Sequence, residues 1–265
     1  MTQSKKCFVA LIDLLGFSDF VNTKSSDDIY ALLSIFMKTP KDFNLQGFDY
    51  NINVFSDTVI ISCPVENADS PNMSVEFSKF LLYINNIQMA NIAFSGILPL
   101  RGGIAYGDFY TNGKDLLFGK ALVDAHETEC KLACYPRIIV SSDLLQPEKS
   151  KEAHQKLSLV FKDTKLADTL KNVSPFDERT FSVRRDFDGL LHCNYLSSLK
   201  MLDGGWADYT HEALIQHRRF IIANITTAKN KSIAAKYHWM KTYHNWFCQG
   251  YEDFQDKIIM DSAEI

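Results

Sequence analysis

The chain has 265 residues, of which 46% are hydrophobic and 23% charged, the ordinary balance of a folded water-soluble protein. Its formal net charge of -4 gives no general attraction to nucleic acid or to an anionic membrane, so we expect neither as a partner. No apolar run approaches the roughly 20 residues of a membrane-spanning helix, and the first residues lack a signal-peptide pattern, so we expect a cytoplasmic protein.

The first predicted element is a buried strand that ends on a carboxylate. Residues 8–12 are all apolar, Asp13 follows them, and Gly16 then signals a turn. A short apolar run bounded by a turn signal is typical of a buried strand. Because a carboxylate at the end of such a strand is costly to bury without a partner, Asp13 is a candidate ligand of a bound cation.

A helix and then a hairpin follow this strand. Ser25 and the acids after it cap a helix, where negative charge suits the helix dipole. Residues 50–63 form two β-rich arms around Ser56 and Asp57, which predicts a hairpin with Asp57 at its tip. If that hairpin lies beside the first strand, Asp13 and Asp57 converge on one metal site.

A long helix and a glycine-containing strand come next. Residues 77–87 place apolar side chains on one helical face, and residues 100–110 predict the strand. Gly102 and Gly103 lie inside this strand. Paired glycines at such a place indicate a bulge, or the close approach of a ligand or of another backbone.

Three further elements complete this part of the chain. They are a hairpin turn at Asn112, a helix from Lys120 to about residue 133, and a strand over residues 136–141. Strands and helices therefore alternate as β-α-β-β-α-β, followed by a hairpin, a helix and a strand. This order predicts an α+β fold, a ferredoxin-like sheet with helices on one face.

The remaining sequence falls into two stretches. Residues 143–172 predict a short helix and loops, and Asp188 with Gly189 predicts the turn of another hairpin. Beyond Trp206 the pattern is helical throughout. We therefore expect a core at 1–142, a continuation at 143–205 and a helical C-terminal extension at 206–265.

The six cysteines indicate neither a disulfide framework nor a zinc site. Cys130 and Cys134 are four residues apart on a predicted helix, but no second pair completes a zinc site. The other four are scattered in mostly apolar surroundings. We expect reduced, mostly structural thiols, as in a cytoplasmic protein.

Residues 8–141 resemble the catalytic domain of the class III nucleotidyl cyclases. The motifs that carry the resemblance are, in family order, Ile12-Asp13-Leu14-Leu15-Gly16-Phe17-Ser18, Phe55-Ser56-Asp57-Thr58, Arg101-Gly102-Gly103-Ile104-Ala105-Tyr106-Gly107 and Gly119-Lys120-Ala121-Leu122-Val123. The resemblance implies that Asp13 and Asp57 bind metal, together with the backbone carbonyl of Leu14. It also implies that the turn Gly16-Phe17-Ser18 holds a triphosphate through its amides.

Four positions depart from the purine cyclases of that family. Asn53 and Leu116 stand where those enzymes read the base, and Val123 and Glu127 stand where they place the asparagine and arginine that stabilise the transition state.

The short N-terminal start, the first turn, the Arg101 strand and the aromatic helical C-terminus together resemble the pyrimidine cyclases of bacterial Pycsar anti-phage systems. That resemblance implies conversion of UTP or CTP to cUMP or cCMP with release of pyrophosphate. It also implies a homodimer with its cleft at the subunit interface, and a separate effector that senses the product.

The implied reaction assigns further roles to residues of this sequence. Two divalent cations, Mg²⁺ or Mn²⁺, would lower the pKa of the ribose 3′-hydroxyl and hold the phosphates. Arg101 is the best cation for charge that develops on the α-phosphate, and Lys120 is a second anion-binding candidate. Tyr50 could stack on the pyrimidine, and Asn53 could hydrogen-bond to it. The ordinary alternatives are a surface ion pair for Arg101, a solvated side chain for Lys120 and sheet packing for Tyr50.

Two other functions stay open. A cyclase-like module that binds a nucleotide without turning it over would explain the departures at Val123 and Glu127. Retention of both Asp13 and Asp57 argues against that reading. An atypical adenylate or guanylate cyclase is the third reading, which Asn53 and Leu116 disfavour.

Overall fold

The structure is a computed structural model that describes residues 5–42, 50–65, 73–94, 98–112, 116–141, 144, 179, 182–201 and 207–260. Its strands in these ranges are β1 (Lys5–Leu14), β2 (Asn51–Phe55), β3 (Thr58–Pro64), β4 (Leu100–Thr111), β5 (Leu117–Phe118), β6 (Ile138–Val140), β7 (Val183–Arg185) and β8 (Leu191–Cys193). Its helices are α1 (Phe17–Thr23), α2 (Ser26–Asp42), α3 (Met73–Met89), α4 (Lys120–Leu132), α5 (Ser197–Met201), α6 (Ala207–Thr226) and α7 (Lys231–Gln249). A π-helical turn (Ala90–Phe94) follows α3, and a 3₁₀ segment (Glu252–Lys257) follows α7.

The first four strands form an antiparallel sheet in the order β2-β3-β1-β4. The central strand β1 pairs with β3 on one side and with β4 on the other. Helices connect β1 to β2 and β3 to β4, which is the split βαβ arrangement of ferredoxin-like folds. The predicted α+β class is therefore confirmed, and so is the hairpin of residues 50–63.

The sheet continues beyond these four strands. β6 lies parallel to β4, and the hairpin of β7 and β8 extends the sheet beyond β6. The short strand β5 pairs with the C-terminal end of β4. The turn of this hairpin, predicted at Asp188 and Gly189, places Gly189 at a φ of 80°, a backbone conformation that glycine adopts without strain. The helix and loops predicted for 143–172 lie outside the described residues, apart from residue 144. The division of the chain at 142 and 205 stays a prediction.

The two faces of the sheet pack against different helices. Alternate residues of β1, such as Phe8 and Ile12, join α2 and α3 in the largest apolar core. The intervening residues, such as Val9 and Leu11, face Ala121 and Ala125 of α4. The helices are thus not confined to one face as the sequence predicted, because the small side chains of α4 form a second apolar layer.

Gly103 explains how closely α4 approaches the sheet. A Cβ atom built on Gly103 would lie 2.2 Å from the carbonyl oxygen of Ala125 and 2.8 Å from Cβ of Thr128. The pairing of β1 with β4 is unbroken from Lys5 to Leu14, so this part of the strand contains no bulge. Of the alternatives that the paired glycines left open, the structure shows the close approach of another backbone.

The C-terminal helices α6 and α7 have an apolar core of their own. Its buried members include Leu214, Ile221, Met240 and Phe247. The indole of Trp239 on α7 connects this unit to the sheet, because it donates to Asp186 in the hairpin of β7 and β8. A buried arginine before β6, Arg137, forms ion pairs with the same Asp186 and with Asp188. No helix in the described part of the chain is both long and apolar enough to cross a bilayer.

Candidate functional site

The site is organised around Asp13, near the end of the central strand. Its Cα partners are Thr58 on β3 and Arg101 on β4. Because side chains alternate along a strand, Asp13 shares the face of the sheet on which Leu11 packs against α4. The apolar layer ends there, so the carboxylate lies beside the helix and is only partly exposed, at 20%.

The hairpin turn places Asp57 next to this strand end. Ser56 adopts a positive φ of 56°, which turns the chain sharply between β2 and β3. The backbone amide of Leu14 then donates to the carbonyl oxygen of Asp57 at 3.0 Å. The structure therefore brings together the segments of Asp13, Leu14 and Asp57, and the negative charge of Asp57 contributes to raising the pKa of Asp13.

Arg101 lies between two carboxylates. Its Nε is 2.7 Å from Oδ2 of Asp13, to which it donates, and 2.8 Å from Oε1 of Glu129 on α4. Glu129 is almost fully buried, with 5% of its side chain exposed. Burial acts to lower the pKa of Arg101, but the hydrogen bond and charge of Asp13, together with Glu129, outweigh burial and raise it.

The electrostatic balance of this cluster is negative. Burial is the largest cause that raises the pKa of Asp13; the bond to Arg101 opposes it, and the charges of Glu129 and Asp57 add to it. A second cation, Lys236 of α7, interacts electrostatically with both Arg101 and Asp13, and its pKa is lowered by burial and then by Arg101. The carboxylates of Asp13, Asp57 and Glu129 outnumber these two cations by one. The resulting excess of one negative charge favours the binding of a further cation.

Sequence reasoning missed Glu129 and Lys236. Glu129 continues the buried stripe of Ala121 and Ala125 at a spacing of four residues, so the helical period was a usable signal. Lys236 carried no comparable signal, because its position depends on how α7 packs in three dimensions. An ion pair between Lys229 and Asp19, 2.7 Å apart, holds the start of this helix near α1.

The predicted phosphate-binding turn directly precedes α1. Gly16 has a φ of 87°, in the left-handed region that glycine favours, and it separates β1 from the helix. The side chain of Phe17 is buried in the core, so only its backbone remains for a ligand, while Ser18 is exposed. Lys120 forms an ion pair with Asp124 one turn along α4, and its role in anion binding stays a prediction.

The two predicted base contacts lie on opposite faces of the sheet. Asn53 pairs with Ile60, whose side chain packs on the α4 side, so Asn53 shares the face of Asp13. Tyr50 packs in the other core, with its ring centroid 4.6 Å from that of Tyr83. The sheet itself separates the ring of Tyr50 from Asp13, so its position fits the alternative of sheet packing.

Three of the four positions that depart from the purine cyclases lie at the surface. Leu116 is 49% exposed and Val123 is 54% exposed. Glu127 is exposed as well and forms an ion pair with Lys131 on the same helix. The residue of α4 that pairs with Arg101 is Glu129.

No family model matches the sequence, and no curated protein matches it. Among solved structures, the guanylyl cyclase Cya2 is similar over 58% of this chain and 81% of its own, with 17% identity and a TM-score of 0.39. The adenylyl cyclase CyaB from P. aeruginosa is similar over 72% of this chain and 93% of its own, with 15% identity and a TM-score of 0.41. The guanylate cyclase domain of RhGC from Catenaria anguillulae, solved in complex with GTP, is similar over 59% of this chain and 84% of its own, with 15% identity and a TM-score of 0.41. The fold assigned to this chain rests on its own strand order and register.

Proposed function

We propose that this chain is a nucleotidyl cyclase that converts UTP or CTP to the 3′,5′-cyclic monophosphate and pyrophosphate. The observation that carries the proposal is the meeting of Asp13 and Asp57 at the end of adjacent strands, within a cluster of excess negative charge. A pair of converging carboxylates beside an arginine suits the transfer of a phosphoryl group with the help of a divalent cation.

The oxygen donors of this cluster fit Mg²⁺ or Mn²⁺. The carboxylates of Asp13 and Asp57 and the carbonyl of Leu14 are hard ligands, and Mg²⁺ is commonly held by one or two carboxylates together with substrate phosphates. Two such cations, when bound, would lower the pKa of the ribose 3′-hydroxyl and neutralise the phosphates. Burial raises the pKa of Asp13 despite the opposing bond to Arg101, and the charges of Glu129 and Asp57 raise it further.

Arg101 would stabilise charge on the α-phosphate. A guanidinium has five N–H donors, and both contacts in this structure, to Asp13 and to Glu129, use the same Nε. Glu129 keeps the guanidinium at the site when Asp13 binds another partner. Positive charge fixed in this way, on a partly buried side chain, stabilises the negative charge that develops on the phosphate in the transition state.

The remaining substrate contacts follow from the same face of the sheet. The amides of the turn Gly16-Phe17-Ser18 would hold the β- and γ-phosphates, with Lys236 of α7 as a nearby positive charge. Asn53 would hydrogen-bond to the pyrimidine, and its amide offers both a donor and an acceptor, which suits either uracil or cytosine.

The biological role that we propose is the synthesis of a second messenger in anti-phage defence, sensed by a separate effector. It rests on the resemblance to pyrimidine cyclases. That resemblance also implies a homodimer with its cleft between subunits. The side chain of Phe55, two residues before Asp57, is 83% exposed, which is consistent with a second subunit that covers this surface.

One observation favours a second candidate, a cyclase-like module that binds nucleotide without turnover. Arg101 already forms an ion pair with Asp13, which a metal ion would have to displace. Exposed Val123 and Glu127 stand where the purine cyclases have polar helix residues. This candidate predicts nucleotide binding without product.

The experiment is an assay of the purified protein with Mn²⁺ and each of the four nucleoside triphosphates, with products separated by chromatography. Cyclic UMP or CMP supports the proposal, a cyclic purine nucleotide replaces it with a purine cyclase, and binding without product supports the second candidate. Asp57→Ala should abolish turnover while leaving the circular dichroism spectrum unchanged, because a turn carboxylate contributes little packing. Asp108→Ala is the control, since Asp108 is an exposed carboxylate of β4 that pairs with Lys6.

A further inference from the structure

Three potential metal ligands meet on one turn of α4. The thiol sulfur of Cys130 lies 3.3 Å from Nε2 of His126 and 3.1 Å from Oε2 of Glu129. One ligand atom from each of the three side chains falls within 4.8 Å of the other two. His126 and Cys130 are exposed, so a cation would reach them from solvent, while Glu129 is buried beneath them.

The spacing of these residues is the reason that they meet. Positions 126 and 130 are one helical turn apart and share a face, and position 129 is adjacent to that face. In a tetrahedral zinc site with ordinary ligand distances, two ligand atoms are about 3.6 Å apart. The sulfur of Cys130 is a few tenths of an ångström closer than this to both neighbours, so a cation would have to spread the side chains only slightly.

We propose that His126, Glu129 and Cys130 bind a divalent cation of the Zn²⁺ type, with solvent in the fourth position. Imidazole and thiolate select zinc-like metals, whereas the oxygen donors of Asp13 and Asp57 suit Mg²⁺ or Mn²⁺. The site is therefore chemically distinct from the pair of aspartates, and it does not depend on the proposed reaction. The sequence expectation that no zinc site exists considered only cysteine pairs, whereas histidine and glutamate provide the other ligands here.

The thiol must lose its proton for the metal to bind. In the structure the thiol of Cys130 donates a hydrogen bond to Glu129, which is the largest cause that raises its pKa. Metal binding accordingly releases a proton, and the affinity should increase as the pH rises. Glu129 also contacts Arg101, so a bound cation would share this carboxylate with the guanidinium.

Titration of the metal-stripped full chain with Co²⁺ tests the site, because cobalt bound to a thiolate gives a charge-transfer absorption band. The band should appear, should be displaced by Zn²⁺, and should be lost in Cys130→Ser. His126→Ala should weaken Co²⁺ binding by roughly tenfold or more, since it removes one of three protein ligands. Both side chains are exposed, so neither change should disturb folding, which circular dichroism checks.

Cys134→Ser is the matched control, because Cys134 is a second exposed cysteine four residues further along. It should retain the band with unchanged affinity. The proposal fails if wild-type protein gives no thiolate band, if the band depends on Cys134 instead of Cys130, or if His126→Ala leaves the affinity unchanged.

Discussion

At the scale of single residues, the arrangement of Asp13, Arg101 and Glu129 decides how readily the site accepts a cation. Arg101 already neutralises Asp13, so a metal ion must compete with a guanidinium for the same carboxylate. Glu129 favours the metal ion in that competition, because it offers the guanidinium of Arg101 a second anion at 2.8 Å. Its negative charge also adds directly to the attraction for a cation.

We expect Glu129→Gln to weaken Mn²⁺ binding at the aspartate pair by roughly tenfold, equivalent to about 1.4 kcal/mol. Two effects act in the same direction, since Arg101 would bind Asp13 more exclusively and one negative charge would be lost. Mn²⁺ binding is measured by the relaxation rate of water protons, which requires no turnover. The matched control is Glu127→Gln, which removes an exposed carboxylate of the same helix that pairs with Lys131. Equal weakening by both variants would mean that only the net charge matters.

At the scale of elements, the depth at which α4 packs positions Glu129. The helix comes so close to β4 that a methyl group at position 103 would overlap the carbonyl oxygen of Ala125. Position 107, four residues further along the same face of β4, is less tight, because the nearest neighbour of a methyl group there would be the amide nitrogen of Ala121 at 3.5 Å. The two glycines therefore provide a matched pair of test sites.

Gly103→Ala should displace α4 from the sheet and cost about 1–3 kcal/mol of unfolding free energy, as overpacking of a close-packed interior typically does. Because the same shift carries Glu129 away from Arg101, Mn²⁺ affinity should fall as well. Gly107→Ala should cost much less in both measurements, since its methyl group would make ordinary contacts. Urea unfolding gives the stability change, and similar losses for both variants would contradict the proposed role of the close approach.

How much of this molecule the sequence could predict depends on whether the signal was local. The hairpin that carries Asp57, the long strand β4 and the helix α4 follow from turn residues and apolar periodicity, and each was predicted within a few residues of its observed bounds. The seven-residue helix α1 was missed, because its few residues cannot establish a period. The face on which Tyr50 lies was also missed, because it depends on strand register rather than on residue type.

In the candidate site, too, residues with a local sequence signal were predicted and residues positioned by long-range packing were not. The sequence predicted that Asp13 and Asp57 would meet, because both end elements that could be recognised individually. It left open whether Arg101 meets a phosphate or forms an ion pair, and the structure pairs it with two carboxylates. Lys236 and Glu129 come from elements whose docking depends on long-range packing, and only the stripe at 121 and 125 hinted at Glu129.

At the scale of the whole molecule, a buried chain of hydrogen bonds links the C-terminal helices to the end of the sheet. The hydroxyl of Tyr195 lies 3.0 Å from Nε2 of His217, and Nδ1 of His217 lies 2.9 Å from Nδ1 of His244. Nε2 of His244 lies 3.0 Å from the carbonyl oxygen of Lys257. A carbonyl only accepts, so His244 must donate there, and His217 then donates to His244 and accepts from Tyr195. This direction holds for two neutral imidazoles, and burial lowers the pKa of both, which favours the neutral forms.

The neutral pair predicts a loss of stability in mild acid. Burial lowers the pKa of His244 from 6.5 to about 4, and burial together with His244 lowers the pKa of His217 well below its ordinary value. Below pH 6.5 the unfolded chain binds protons that the folded chain excludes, so the unfolding free energy should fall as the pH drops from 6.5 towards 4. For His244 alone the loss should be roughly 3 kcal/mol, at 1.36 kcal/mol for each unit of pKa.

Urea unfolding of wild-type protein and His244→Gln between pH 7 and pH 4 isolates this contribution from that of the carboxylates. Glutamine can still donate to Lys257 but does not titrate, so the variant should lose less stability on acidification than the wild type. His238→Gln, which changes an exposed histidine of the same helix, should follow the wild-type curve. Parallel curves for wild type and His244→Gln would mean that this imidazole is protonated as easily in the folded protein as in the unfolded chain, and the hydrogen-bond direction assigned to the buried chain would be wrong.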